Sequence, residues 1–141
     1  MALPTYVGET PSVAGSGTGS VNVNFSATGR QAGDILFIQY ATQNHEDIDS
    51  VPLPWKKAPW SGIGATGNDI NVLWAPADGT EGNISLSFTG IDHIIAGGSV
   101  FRGVDTENPF HRIVGDEFQN SSPWNSSSLT TSVPGDRDWE T

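Results

Sequence analysis

The chain has 141 residues, which is one domain of ordinary size and enough to bury a core without a metal or a disulfide. Only 16% of the residues are charged, against about 25% in an average domain, and 17 Gly with 9 Pro rule out a helical bundle. Sixteen acids against 6 bases give a net charge of -10, which argues against nucleic acid and anionic lipid as partners, and the lack of Cys excludes disulfides, thiolate metal sites and cysteine nucleophiles.

In chain order, Met1 to Tyr6 has neither the basic start nor the apolar stretch of a secretory signal. Ala14 to Ser20 alternates Gly with Ser and Thr, the chemistry of a flexible linker. Residues 1–20 therefore read as a flexible N-terminal arm that orders against a neighbour, with Tyr6 and Val7 as candidate interface residues. Residues 21–141 read as one domain. Val21 to Phe25 alternates apolar and polar, as a half-buried strand does. A turn is expected around Gly29 to Gly33. Asp34 to Tyr40 is a short, continuous apolar run rich in Ile and aromatics, which predicts a strand buried on both faces.

His45 to Ser50 is an acidic loop. Val51 to Gly67 holds three Pro, three Gly and two Trp and excludes long regular structure. Ile70 to Trp74 predicts a strand, Asp78-Gly79 a tight turn, Ile84 to Phe88 a half-exposed strand and Ile94 to Val104 another. Gly97-Gly98 inside the last marks a bulge or a close backbone approach. Val104 to Asn125 reads mostly as loop, and Leu129 to Val133 as a strand, with Leu129 and Val133 as further interface candidates. Strands at this spacing with no helix between them predict an all-β, antiparallel sandwich or jelly roll. Val133-Pro134-Gly135-Asp136 repeats the turn chemistry of Gln31-Ala32-Gly33-Asp34 and should also feed a strand, yet only Arg137 to Thr141 follow. Two alternatives stand: the sandwich ends there, or the chain is a piece of a longer protein.

An ordered set of segments carries a resemblance. It comprises Gln31-Ala32-Gly33-Asp34-Ile35-Leu36, Pro52-Leu53-Pro54-Trp55, Leu73-Trp74-Ala75, Val100-Phe101-Arg102-Gly103-Val104-Asp105, Asn108-Pro109-Phe110 and Thr130 to Asp136. Together they resemble a β-sandwich module of phage and prophage virion structural proteins, over most of Val21 to Asp136. The resemblance implies a non-enzymatic virion role, as a capsid decoration or cement protein or a tail appendage. It implies the major capsid protein or other virion proteins as partners; the sheet edge left after the Pro134-Gly135 turn predicts a homo-oligomer, for which the resemblance implies a preference for a trimer. It implies synthesis in the host cytoplasm and a final place in the virion. It carries no catalytic motif and no cofactor.

Several constellations invite chemistry. Asp47 and Asp49, two residues apart, have the oxygen ligands a calcium ion takes, but the loop lacks the Asp, central Gly and terminal Glu of an EF-hand. A solvated acidic loop is the ordinary reading. Asp34, Asp92, His93 and His111 are titratable, yet no nucleophile elbow, zinc-helix motif or phosphate-cradling loop accompanies them. Gly62 to Gly67 fits a dinucleotide fingerprint in letters but lacks the strand before and the helix after. The expectation is a protein without enzymatic activity. Trp55 and Trp74 read as core plugs. Trp60 and Trp124 are candidate sugar-stacking platforms, which makes a carbohydrate- or receptor-binding module of a tail fibre the alternative function.

Overall fold

The computed structural model describes residues 3–43, 46–58 and 68–110. Within them lie six strands and no helix: β1 Thr5–Glu9, β2 Val13–Asn24, β3 Ile35–Gln43, β4 Lys56–Lys57, β5 Asn68–Pro76 and β6 Asn83–Arg102. All pairings are antiparallel, in one sheet of order β1-β6-β3-β5-β4, with β2 also paired to β6. The all-β expectation therefore holds. Neither a second sheet nor a closed barrel is present among the described residues.

β6 organises the sheet. Its 20 residues merge the two strands expected at Ile84 to Phe88 and Ile94 to Val104. Its first half pairs with β2 as a two-stranded ribbon, and its second half is flanked by β3 on one side and by β1 and the start of β2 on the other. Asn24 pairs with Asn83, so a straight β6 would hold Phe25 roughly 50 Å from Gly98, at about 3.3 Å per residue. Instead the Phe25 ring lies against Gly98, so the ribbon curls back over the sheet. The bend falls where β2 slips register on both sides of Gly17, and where Gly17 and Gly90 take positive φ at 74° each.

The curl encloses the core. Val21, Val23, Phe25, Leu86, Phe88 and Ile91 from the ribbon pack on Leu36, Ile38 and Tyr40 of β3, Leu73 and Ala75 of β5, and Ile94, Ala96 and Val100 of β6. Trp55 joins them, as the sequence suggests. Its ring centroid is 5.7 Å from that of Phe25. A turn with a cis Leu53–Pro54 bond, closed by Trp55 N–H to Pro52 O at 2.9 Å, delivers it there.

Two expectations need correction. The N-terminal segment is no loose arm: β1 and β2 run along β6 from Thr5↔Arg102 to Asn24↔Asn83. Apart from Thr18, the Gly and Ser of this stretch have little strand preference of their own, but a neighbouring strand fixes them through main-chain bonds. Trp74 is buried, but on the side of the sheet opposite the core. The turn expected at Asp78-Gly79 is present, with Asp78 Oδ1 accepting from Thr80 N–H at 2.7 Å, and it joins β5 to β6, which have β3 between them.

Candidate interaction surface

Two features of the sheet are unusual for a fully enclosed domain. The first is an edge. β1 and β2 lie consecutively along β6, bridged at Thr10, whose N–H donates to Gly98 O at 2.9 Å while its Oγ1 accepts from Gly98 N–H at 2.8 Å. Positions 5–24 thus form one long strand edge. Among the described residues no strand pairs with its far side. The edge carries one charged residue, Glu9, and one Pro, Pro11. Natural edges are usually blunted with charge, Pro or bulges. Here the glycine bulges of β2 do part of that, and charge does almost none. Tyr6 and Val7 belong to this edge: Tyr6 is 53% exposed, and Val7 is half-buried against the core.

The second feature is the outer face. β-Strand alternation sends every second side chain away from the core. In register across the strands, that face holds Tyr6, Phe101, Ile35 and Pro76 in one row and Phe37 with Trp74 in the next. Gly97, Gln39 and Val72 follow, and Ala14, Ile95, Ala41 and Ile70 form a fourth row. Edge-to-face ring contacts run from Tyr6 to Phe101 at 5.7 Å and from Phe101 to Phe37 at 5.9 Å. Phe110 closes over Phe37 at 5.6 Å and over Trp74 at 6.1 Å. Lys56 Nζ sits 5.0 Å from the Trp74 ring, a cation–π contact at the β4 end. The far row stays open, with Ile70 66% and Ile95 54% exposed. No motif marks this face in the sequence. Its signal is the doubly apolar pattern of Ile35 to Tyr40, which predicts cover on both sides.

The charged candidates are structural in their bonding. Asp47 accepts from Tyr40 Oη at 2.5 Å, from Ile48 N–H at 2.8 Å and from Lys57 Nζ. Burial pushes its carboxyl up, but the bonds from Lys57 and Tyr40 outweigh that and hold it below its ordinary 3.8. Its partner in the proposed calcium pair, Asp49, turns instead to Thr89 Oγ1 at 3.2 Å. The structure therefore uses Asp47 to fasten the 46–49 loop to β3 and β4, and no metal-binding group of acids and histidines occurs among the described residues. Burial, and then Asp47, raises the pKa of Tyr40.

Asp34 takes Arg102 in a two-pronged pair, at 2.7 and 2.8 Å, and accepts from Gln31 N–H at 2.8 Å. The Arg102 bond is the largest cause of its lowered pKa; burial opposes it and Gln31 adds to it. This pair ties the turn before β3 to the end of β6. His93 Nδ1 meets Gln43 Oε1 at 2.9 Å. Trp60, Trp124, His45, His111, Leu129, Val133 and Gly62 to Gly67 lie outside the described residues. No family model matches the chain, and no curated protein or solved structure matches it either.

Proposed function

We propose that the chain is a non-enzymatic structural protein of a phage virion, a capsid decoration or cement protein that holds neighbouring shell subunits together. The observation that carries this reading is the edge at positions 5–24, long, nearly uncharged and open on its far side among the described residues. Such an edge is a template for strand addition, in which main-chain bonds supply affinity. A protein that clamps neighbours needs a surface of this kind; an enzyme needs a polar cleft. The resemblance to virion β-sandwich modules supports the same reading, and with it a sandwich or jelly roll as the complete architecture. Self-association through the edge, with threefold closure preferred, would cover the unpaired groups. The carbohydrate-binding alternative rests on Trp60 and Trp124, and nothing on the described surface favours it.

Two measurements test the proposal. Mass spectrometry of purified virions from the encoding phage or prophage should find the chain at a fixed ratio to the shell protein. In solution, light scattering should show an oligomer that Ser16→Lys with Ser20→Lys dissociates while the thermal midpoint is kept. Both positions are exposed on the edge strand. Absence from virions would overturn the virion role. A parent chain that stays monomeric at millimolar concentration would overturn the use of the edge.

A further inference from the structure

The outer face has an owner of its own. β5 turns Ile70, Val72 and Trp74 outward and Asn71 inward, so its more apolar set points away from the core. β3 also turns Ile35 and Phe37 outward, and β6 turns Ile95 and Phe101 outward, although the core sides of these two strands are apolar as well. Among the residues paired across this face of the described sheet, only Glu9 on β1 and Lys56 on β4 carry a charge, one at each margin. A sheet apolar on both sides is covered on both sides. The ribbon of β2 and β6 covers one. On the other, the described chain supplies cover at one end, where Phe110 packs on Phe37 and Trp74.

Phe110 is also where the described chain stops, and residues 111–141 follow. At up to about 3.3 Å each, those 31 residues reach any point of the face. The stretch from Phe118 to Gly135 has no charged residue and includes Trp124, Leu129 and Val133. An uncharged segment thus leaves from a face whose charged residues, Glu9 and Lys56, lie on its two edge strands. A second copy fits less well. The open part spans four strands by about four residues, roughly 250 Å² at ~4.8 Å between strands and ~3.3 Å per residue. A specific interface takes about 800 Å² per partner, whereas a tethered segment does not pay the loss of translational freedom. We propose that the outer face of β5, β3 and β6 is a docking face for residues 111–141 of the same chain. The inference is independent of the virion reading, since it concerns the outer face of the sheet and not the main-chain groups along the β2 edge.

The test uses the full chain, whose lack of Cys gives a clean background. Ile95→Cys, at an exposed position, takes a nitroxide spin label, and amide signals are followed by NMR. Docking predicts at least twofold broadening of several amides within 118–135. It also predicts no broadening when labelled, isotope-silent protein is mixed with unlabelled, isotope-enriched protein. As a check that does not depend on the bulky label, the bare thiol should react with iodoacetamide at least fivefold more slowly than one placed at exposed Asn22. Broadening that appears in the mixed sample would assign the face to a second copy and overturn the proposal. Amides 118–135 unaffected in the labelled chain, with equal thiol rates at positions 95 and 22, would overturn it as well.

Discussion

Gly98→Ala isolates the contact on which the curl of the sheet depends. A Cβ at position 98 would stand 2.4 Å from Cζ and 2.8 Å from Cε1 of Phe25, and 3.0 Å from Cγ2 of Thr10. Carbon atoms settle at about 3.5–4.0 Å, so the ring has to retreat by roughly an ångström. It has little room. Phe25 is fully buried with Trp55 against it, and its main chain is pinned by Phe25 N–H to Gly82 O at 2.9 Å. Overpacking of this kind costs about 1–3 kcal/mol. At a chain length near 150 residues that lowers the thermal midpoint by roughly 2–4 °C per kcal/mol. Urea unfolding should show a lower midpoint at an unchanged slope. Phe25→Leu removes the two ring atoms that clash, at its own cost below the ~3–5 kcal/mol of a Phe→Ala change. In the double variant the two penalties should fall short of their sum by at least ~0.5 kcal/mol, the signature of direct contact. A Gly98→Ala protein within ~0.3 kcal/mol of the parent, or a strictly additive cycle, would refute the close approach and with it the folded-over ribbon.

Gly8→Ala should detach β1 alone. Its Cβ would lie 2.4 Å from the main-chain oxygen of Thr28, which cannot rotate away, so hydrogen exchange should speed up across Thr5–Glu9 while β3 keeps its protection; uniform protection in both would contradict this. Asp34→Asn should destabilise the protein at neutral pH. Because Arg102 lowers the folded pKa of Asp34 beneath 3.8, its stabilisation is full above that value and disappears as the pH falls through the folded pKa. The gap between parent and variant should therefore close in acid, and a gap that widens below pH 4 would count against the pair. Of the two tyrosines, Tyr40 should stay neutral until the fold opens, since burial and Asp47 both oppose its ionisation. Absorbance at 295 nm should show its share of the change coinciding with alkaline unfolding, and ionisation of both rings in the folded state would refute the buried bond.

The strands whose signal is local were legible. Val21 to Phe25 and Ile84 to Phe88 alternate, Ile35 to Ile38 is a continuous apolar run, and Ile94 to Val104 reads as a further strand; each sits in a strand of the structure or at its boundary. Gly97-Gly98 reads as a bulge or a close approach, and the structure makes Gly98 the close approach, with β3 and β6 in unbroken register there. What was not legible depends on partners distant in sequence. Ala14 to Ser20 has the composition of a linker, and only the facing residues of β6 make it a strand. The acids of the 46–49 loop look available for a metal until Lys57 and Tyr40 arrive from other strands.

β5 shows why the site was harder to read than the fold. Alternation in Ile70-Asn71-Val72-Leu73-Trp74 fixes a strand, but it leaves two ways of facing it. The tempting one puts Trp74 in the core with Ile70 and Val72. The structure takes the other, burying Asn71, Leu73 and Ala75 against the ribbon. The register with β3 decides, because Leu36, Ile38 and Tyr40 stand opposite Ala75, Leu73 and Asn71 and a one-residue slip would reverse every side chain. Burying an asparagine in order to expose an isoleucine is unfavourable if only one face of the sheet is covered. It becomes reasonable when the second face is also a buried surface, receiving Trp74 and Phe37 beneath Phe110 and offering Ile70 and Ile95 to whatever lies beyond. The orientation of this one strand is therefore what the proposed docking of residues 111–141 on the outer face would account for.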